Sequence, residues 1–303
     1  MRYINRSIVS IEDLDKEEII RILETADKIQ NAGISLKGKI MAALFFEPST
    51  RTRLSFESAM LRLGGQVIGF ADSVTTSCIK GESLSDTIRM VESYADVIVM
   101  RHFMNRAASE AAEISKIPII NAGDGSNEHP TQALIDLYTI KKLQGNISCI
   151  KIALAGDLLY GRCIHSLALA LSYFGCELSL ISPKQLMMPK EIKAKLELRN
   201  IKFKETENLK DEIPSLDIIY MPRIQKERFK NNSEYEKLKG VYILDKKSLA
   251  KAKPNLKVLS PLPRLDEISK DLDGTKFAGY FDQASNAVKV RQAILAFALG
   301  KLD

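Results

Sequence analysis

The sequence KIMAALFFEPSTRTRLSFESAMLRL, residues 39–63, contains an apolar run, a polar turn and an amphipathic stretch, in that order. The apolar run at 39–46 is typical of a buried strand, and the apolar spacing at 52–63 is typical of a helix. A strand that ends at Phe46 and a helix that begins near Thr50 form a βα unit. This stretch therefore predicts the building block of a parallel sheet.

The same pattern continues along the 303 residues. Apolar runs predict seven more strands, at 67–70, 96–100, 118–121, 151–155, 177–181, 217–221 and 257–259. Apolar spacing predicts further helices at 84–94, 130–143, 162–174 and 286–299. Strands that alternate with helices indicate a parallel sheet covered on both faces. Because a domain typically has roughly 100–200 residues, the length predicts two such α/β domains, with a break around 130–150.

The net charge does not by itself indicate a polyanionic partner. Lys and Arg number 44 against 38 Asp and Glu, a formal net charge of +6. The excess lies in residues 184–257, which hold 19 basic and 11 acidic residues with interleaved signs, as on a solvated helix face. No nucleic-acid-binding motif accompanies them, so we predict no nucleic-acid partner.

The membrane and secreted classes of protein are also disfavoured. The longest apolar runs fall well short of the roughly 18 residues that a membrane helix needs. The sequence becomes acidic at Glu12 and Asp13, which is unlike a signal peptide. The four cysteines form no C-x-x-C pair. So few thiols in a long chain predict a cytoplasmic protein without membrane contact.

The turn FFEPSTRTR, residues 45–53, carries the strongest chemical signal. Backbone N–H groups at a helix start are unpaired and carry partial positive charge, which suits a phosphate. Ser49, Thr50 and Thr52 add hydroxyl donors, and the planar fork of Arg51 matches phosphate oxygens. The alternative is an ordinary Ser/Thr helix cap beside a surface arginine.

Two more predicted strands of the first half lead to polar side chains that could bind an anion. One is followed by Arg101, and the other leads to His129 and Gln132 at the start of a helix. In open α/β sheets, ligands bind at the carboxyl ends of the strands. We therefore expect Arg51, Arg101 and His129 to converge on one anion.

Arginines also follow predicted strands in the second half. Arg162 opens a helix after GDLLYG (156–161), and Arg223 follows another strand. The glycine spacing resembles a P-loop, but that motif needs Lys then Ser/Thr where this chain has Arg162 then Cys163. Each arginine suits a carboxylate or phosphate, with a surface ion pair as the alternative. We find neither paired metal-ligand spacing nor a G-x-S-x-G elbow, so we predict no metal and no covalent catalysis.

Together these motifs identify a resemblance that runs from end to end of the chain. They are FEPSTRTR (46–53), KGE (80–82), VMRH (99–102), NAGDGSNEHPTQ (121–132), GDL and YGR (156–162), RIQKER (223–228) and PLPR (261–264). In this order they resemble the aspartate/ornithine carbamoyltransferase family, and within it the aspartate-specific enzymes.

The resemblance implies a fold, an activity and a domain plan. The implied reaction transfers the carbamoyl group of carbamoyl phosphate to the amine of L-aspartate, in pyrimidine biosynthesis and without a cofactor. The first domain, residues 1–135 plus 286–303, would bind carbamoyl phosphate, and the second, 136–285, would bind aspartate. The ligand site would lie at the carboxyl ends of the strands, between the domains.

The resemblance also implies roles for single residues. The carbamoyl phosphate site would comprise Ser49, Thr50, Arg51, Thr52, Ser77, Arg101, His129, Gln132, Leu262 and Pro263. The aspartate site would comprise Lys80, Arg162, Arg223 and Gln225. Arg51, Thr52, Lys80, Arg101 and His129 would act in catalysis. Ser77 and Lys80 would reach a neighbouring subunit's site in a homotrimer, to which regulatory chains attach in some members.

Three departures from the family pattern and two alternatives remain open. Ser260 stands where a histidine usually precedes Pro-Leu-Pro, Leu159 replaces a common lysine, and Ser77 lies one residue closer to Lys80 than in some relatives. An ornithine or other amino-acid carbamoyltransferase is the nearest alternative, although paired arginines would repel the amine of ornithine. A non-catalytic relative would be expected to have lost one of the catalytic residues, and all are present.

Overall fold

The computed structural model describes residues 6–72, 76–229 and 231–302. Within these residues nine strands alternate with ten helices. The strands β1–β9 are Ile40–Phe45, Gln66–Phe70, Val97–His102, Ile119–Asp124, Lys151–Ala155, Glu177–Ile181, Phe203–Thr206, Ile218–Tyr220 and Lys257–Leu259. The helices α1–α10 are Lys16–Lys28, Thr50–Arg62, Leu84–Val91, Ala107–Ile114, Pro130–Gln144, Arg162–Leu171, Lys190–Leu198, Leu209–Glu212, Asn232–Leu238 and Tyr280–Ala298.

The strands form two parallel sheets. The first sheet has the order β2-β1-β3-β4 and the second the order β7-β6-β5-β8-β9. Every pairing between neighbouring strands is parallel. Parallel strands need crossover connections, which most of the helices supply here. The predicted α/β fold with two parallel sheets flanked by helices is confirmed.

The chain divides into two compact units, one for each sheet. The first unit comprises the residues up to Ile135 together with those from Asn286 onward, and the second unit is Asp136–Ser285. Both divisions fall inside helices, one within α5 and the other within α10. The chain therefore passes from one unit to the other without a loop.

Each unit has an apolar core around the middle of its sheet. In the first unit Leu44, Ile98 and Met100 pack with the helices, and in the second Ala153 and Ile219 do so. Central strands covered on both faces need continuous apolar runs, which is why these strands stand out in the sequence. No helix in the described part of the chain is both long and apolar enough to cross a membrane.

Two elements differ from the sequence prediction. Strand β7 was not predicted, because it is a partly exposed edge strand with the polar sequence FKET and lacks an apolar run. Helix α10 begins at Tyr280, six residues before the predicted start at 286. Its first turn contains Asp282 and Gln283, whose polarity hides the helical spacing.

Candidate active site

The turn between β1 and α2 presents its polar residues at the carboxyl edge of the first sheet. Helix α2 begins at Thr50, with Ser49 in extended backbone conformation before it. The Ser49 hydroxyl makes no capping hydrogen bond, so an ordinary serine cap does not describe this turn. The side chains of Thr50 and Arg51 are exposed, whereas Thr52 is buried. The helix start therefore offers hydroxyl, guanidinium and first-turn N–H donors to an anion.

Contacts within the first unit hold the first turn of α2 in place. The Ser55 hydroxyl donates to the Thr52 carbonyl at 3.1 Å and also to the Arg51 carbonyl. The guanidinium of Arg291, on α10, donates to the Ser55 hydroxyl and lies over the Phe56 ring at 4.6 Å from its centroid. The buried Arg291 side chain therefore helps to hold the turn between β1 and α2 in place.

Arg101 lies on β3, beside the same turn. The backbone N–H of Phe46 donates to the Arg101 carbonyl at 2.9 Å. The Arg101 side chain is 14% exposed, and its Nη2 lies 3.0 Å from Glu47 Oε2. A carboxylate from the turn thus occupies part of the arginine fork, and a bound anion would compete with it.

The segment between β4 and α5 is held by a network around Asp124. Asp124 Oδ1 accepts from the Asn121 amide at 2.9 Å and from the Glu128 backbone N–H at 3.2 Å. Its Oδ2 accepts from the Arg106 backbone N–H at 2.7 Å. This network holds the segment that precedes His129, so His129 has a fixed position at the start of α5.

His129 itself is buried, and its ring is placed by helix α5. Its Nδ1 lies 3.3 Å from the Thr131 hydroxyl, a contact that helps to set the orientation of the ring. The Gln132 backbone N–H donates to the His129 carbonyl at 3.0 Å. Because β1, β3 and β4 are neighbours in the sheet, the structure brings Arg51, Arg101 and His129 to the ends of adjacent strands.

Ser77 and Lys80 lie elsewhere in the first unit. They belong to a 3-10 turn, Ser77–Lys80, in the segment that follows the edge strand β2. Both side chains are exposed. They are thus not among the residues at the ends of β1, β3 and β4.

In the second unit the turn between β5 and α6 is built around Asp157. This carboxylate is fully buried, and burial raises its pKa against the effect of its hydrogen bonds. Oδ1 accepts from the Tyr160 backbone N–H at 2.9 Å, and Oδ2 from the Gln225 backbone N–H at 3.3 Å. Gly161 lacks a Cβ, which would lie 2.3 Å from the Asp157 carbonyl oxygen. The turn ends at Arg162, the first residue of α6 and 5% exposed.

Asp157 was not among the site residues predicted from the sequence. The residue lies in the GDL motif, and a buried carboxylate that joins two predicted site segments is a positioning residue. Gln225 Nε2 donates to the Tyr160 carbonyl at 2.9 Å, so the Gln225 side chain is held in the same network. The only indication in the sequence was that Asp157 comes directly after Gly156, at the end of a predicted strand.

Arg223 follows β8 and lines a cavity of the second unit. Its Nη1 donates to Glu227 Oε2 at 3.0 Å, and the hydrogen bonds that Arg223 donates to Glu227 raise the pKa of Arg223. The cavity is also lined by Gly156, Tyr235 and Glu267. Arg223 is thus paired with a carboxylate of the chain itself, as Arg101 is in the first unit. A carboxylate ligand of Arg223 would compete with Glu227.

The loop after β9 carries Leu262 and Pro263. Leu262 has φ 57°, and the peptide bond between Leu262 and Pro263 is cis. Ser260 is buried, and its hydroxyl accepts from the Leu262 backbone N–H at 3.4 Å. At the other end of the loop Arg264 donates to the Tyr280 hydroxyl at 2.9 Å. Serine in place of the usual histidine therefore still packs inside this loop.

The other two histidines serve the structure. His102 is buried, burial lowers its pKa, and its Nδ1 accepts from the Met104 backbone N–H at 3.0 Å. His165 Nε2 donates to the Leu158 carbonyl at 2.9 Å. Among the described residues no group of three His, Cys, Asp or Glu side chains is placed to hold a metal ion.

Comparison with family models accounts for both units. The description "Aspartate/ornithine carbamoyltransferase, carbamoyl-P binding domain" matches residues 6–142. The description "Aspartate/ornithine carbamoyltransferase, Asp/Orn binding domain" matches residues 148–298. The chain belongs to the aspartate/ornithine carbamoyltransferase family. The resemblance inferred from the motifs is confirmed.

Curated members of the carbamoyltransferase family match over the full length. The aspartate carbamoyltransferase catalytic subunit of Thermococcus kodakarensis is 54% identical, over 100% of this chain and 99% of that one. The corresponding subunit of Phocaeicola vulgatus is 51% identical, over 98% of this chain and 96% of that one. Both carry the aspartate-specific name.

Solved structures of the family agree. The catalytic subunit of M. jannaschii aspartate transcarbamoylase superposes with a TM-score of 0.87 at 50% identity, over 97% of each chain. The Trypanosoma cruzi aspartate transcarbamoylase in complex with N-(phosphonacetyl)-L-aspartic acid superposes with a TM-score of 0.90 at 38% identity, over 97% of this chain and 95% of that one.

Proposed function

We propose that this chain transfers the carbamoyl group of carbamoyl phosphate to the amine of L-aspartate, giving N-carbamoyl-L-aspartate and phosphate. The observation that carries the choice of acceptor is the pair Arg162 and Arg223 at strand ends of the second unit. Two guanidinium forks suit a dicarboxylate and would repel the side-chain amine of ornithine. The names of relatives above 50% identity support the same choice.

The first unit, in this proposal, binds carbamoyl phosphate. Ser49, Thr50, Arg51 and Thr52 hold the phosphate at the start of α2, and Arg101 adds a second guanidinium. The anion gains the partial charge of the helix start and charge-assisted hydrogen bonds together. The phosphate of the substrate replaces the carboxylate of Glu47 on Arg101. Until the substrate binds, Glu47 keeps the partly buried guanidinium paired.

The second unit, in this proposal, binds L-aspartate. Arg162 and Arg223 hold its two carboxylates, with Gln225 placed nearby by Asp157 and Tyr160. The substrate carboxylate replaces that of Glu227 on Arg223. Holding both carboxylates fixes the direction from which the amine approaches the carbonyl carbon.

The chemical step needs donors aimed at the carbonyl oxygen. The aspartate amine attacks the carbonyl carbon, a new C–N bond forms, and the oxygen becomes an oxyanion in a tetrahedral intermediate. Thr52, Arg101 and His129 donate to that oxygen, and they bind it more tightly as its charge develops. Gln132 and the backbone of Leu262 and Pro263 hold the carbamoyl amino group. The C–O bond to phosphate then breaks, and the amine proton passes to the departing phosphate or to solvent.

The activity itself is tested by product analysis. Purified full-length protein should form N-carbamoyl-L-aspartate from carbamoyl phosphate and L-aspartate without added metal. With L-ornithine as the acceptor, the rate should be lower by at least about 1,000-fold, because its one carboxylate can pair with only one of the two arginines and the other would face an ammonium group. A faster reaction with ornithine would make the alternative carbamoyltransferase correct. Omission of either substrate is the blank.

We further propose that the active form is a homotrimer with shared sites. Ser77 and Lys80 are exposed on the segment after β2, and exposed apolar side chains of the same unit, Leu54, Leu61 and Ile79, support burial against a second copy. Each copy would give Ser77 and Lys80 to its neighbour's site.

The cysteines support a reducing cytoplasm as the place of this step of pyrimidine biosynthesis, because Cys149, Cys163 and Cys176 form no disulfide.

Shared sites predict recovery of activity by mixing two inactive variants. Lys80→Ala and Arg51→Ala homotrimers should each be inactive, because each lacks one part of every site. After subunit exchange at equal amounts, about a quarter of the wild-type activity should return, since random pairing gives that share of complete sites. The measurement is the rate before and after exchange confirmed by mass spectrometry.

A matched control separates sharing from simple dilution. The double variant Lys80→Ala/Arg51→Ala, mixed with Lys80→Ala, contains no subunit able to supply Lys80. That mixture should remain inactive. If the first mixture also stays inactive after confirmed exchange, the sites are not shared in this way.

A further inference from the structure

A buried chain of hydrogen bonds leads from helix α5 to the loop after β9, within the second unit. Asp136 and Gln283 are 0% and 1% exposed. Gln283 Nε2 donates to Asp136 Oδ1 at 2.6 Å, and Gln283 Oε1 accepts from the Ser260 backbone N–H at 2.8 Å. Both polar atoms of the Gln283 amide are therefore hydrogen-bonded. The nitrogen bonds to the Asp136 carboxylate, and the oxygen bonds to the loop after β9.

The loop at the end of this chain has a conformation that needs support. Leu262 has φ 57°, a left-handed backbone angle that residues other than glycine rarely adopt. Its backbone N–H donates to the Ser260 hydroxyl. The hydrogen bond from the Ser260 backbone N–H to Gln283 therefore holds Ser260 in place. Ser260 in turn holds Leu262 through its hydroxyl. Arg264 anchors the far end on Tyr280, in the same first turn of α10.

The hydrogen-bonded pair of Asp136 and Gln283 is too specific to be explained by ordinary core packing. Burying a carboxylate and an amide is costly unless each is hydrogen-bonded, and apolar side chains would fill this space more cheaply. Only a side chain that both donates and accepts can join Asp136 to a backbone N–H. Tyr220, which is fully buried, also lies close to Asp136.

We infer that Asp136 and Gln283 are positioning residues that set the orientation of the Leu262 backbone towards the carbamoyl amino group. This inference rests on the proposed function, which places that backbone against the substrate. Neither residue touches substrate in this scheme. The amino group is present in the ground state as well as in the transition state, so its acceptor contributes mainly to binding of carbamoyl phosphate.

Exchanging the two functional groups gives a sharp test. In Gln283→Glu two buried carboxyl groups face each other, and the amide that donates to Asp136 is lost, so the two groups either repel or must take up a proton. The KM for carbamoyl phosphate should rise by about 10-fold to 100-fold, with a smaller change in kcat and in the KM for aspartate. In the double variant Asp136→Asn/Gln283→Glu, the new amide donates to the new carboxylate, which still accepts from Ser260. Its KM should return to within about threefold of wild type.

The double variant Asp136→Asn/Gln283→Glu has the same side-chain volume and net charge as the wild type. It therefore serves as the control for effects on packing. Loss of thermal stability in Gln283→Glu without a change in the KM for carbamoyl phosphate would reduce the pair to a structural role and overturn the inference. A double variant as impaired as the single one would also overturn it.

A readout independent of activity separates this inference from the proposed function. Amide hydrogen exchange, followed by mass spectrometry on a peptide that covers residues 256–264, should be faster in Gln283→Glu and normal in the double variant. If the wild-type protein forms no carbamoyl-aspartate, the proposed function fails whatever the exchange shows. If the wild type is active and neither exchange nor KM changes in Gln283→Glu, only the positioning role fails.

Discussion

Replacement of His129 by alanine will lower kcat by about 100-fold to 1,000-fold, the range observed when one donor to a developing oxyanion is removed. The KM for each substrate should change much less, because the bond strengthens only as the tetrahedral intermediate forms. His129 is well placed for this role. It is buried at the start of α5, and the contact between Nδ1 and Thr131 helps to hold its ring in place.

A second substitution at the same position tests the donor itself. In His129→Gln the amide nitrogen lies close to where Nε2 was, so part of the lost turnover should return; in His129→Asn the shorter amide should not reach. The measurement is steady-state kinetics at saturating concentrations of both substrates. An unchanged kcat in His129→Ala would remove His129 from the mechanism.

Replacement of Arg101 by alanine will lower kcat/KM for carbamoyl phosphate by about 100-fold. Removing one partner of a buried, hydrogen-bonded charge pair costs about 2–5 kcal/mol, and the lower part of that range applies here because the two side chains are 14% and 21% exposed. The substitution removes a phosphate ligand and also takes from Glu47 the partner that lies 3.0 Å away in the wild type. The negative charge of Glu47, no longer paired with Arg101, should repel the incoming phosphate.

The contribution of Glu47 can be measured separately. Adding Glu47→Gln to Arg101→Ala should recover part of the loss in kcat/KM, because the repulsion is removed while the missing donor is not replaced. Arg106→Ala is the control, since Arg106 follows the same strand and has an exposed side chain. If Arg101→Ala behaves like Arg106→Ala, Arg101 does not bind the phosphate.

The sequence was sufficient to predict which residues lie at strand ends, because those positions follow from local patterns. An apolar run, a turn and an amphipathic helix place Arg51, Arg101, His129 and Arg162 without knowledge of the sheet order. The order of the strands, which makes β1, β3 and β4 neighbours, is a property of the whole sheet. Strand β7 escaped prediction because a polar edge strand has no apolar run to reveal it.

The ion pairs and buried networks of the site were not predictable in the same way. Glu47 and Glu227 look like ordinary surface acids in the sequence, yet each occupies an arginine fork. Asp136 and Gln283 are separated by 147 positions and meet only in the folded chain. Such pairings depend on tertiary distances, which residue spacing does not encode.

The passage of the chain through α5 and α10 has a consequence for synthesis on the ribosome. The first unit includes residues on both sides of the second, and its core contains the buried Ile294 and Phe297 of α10. The first turn of α2 is also held by Arg291, which is translated after the whole second unit. Domains fold as units while the chain emerges from its amino end. The uninterrupted second unit can therefore fold first, and the half of the protein that is translated earliest is completed last.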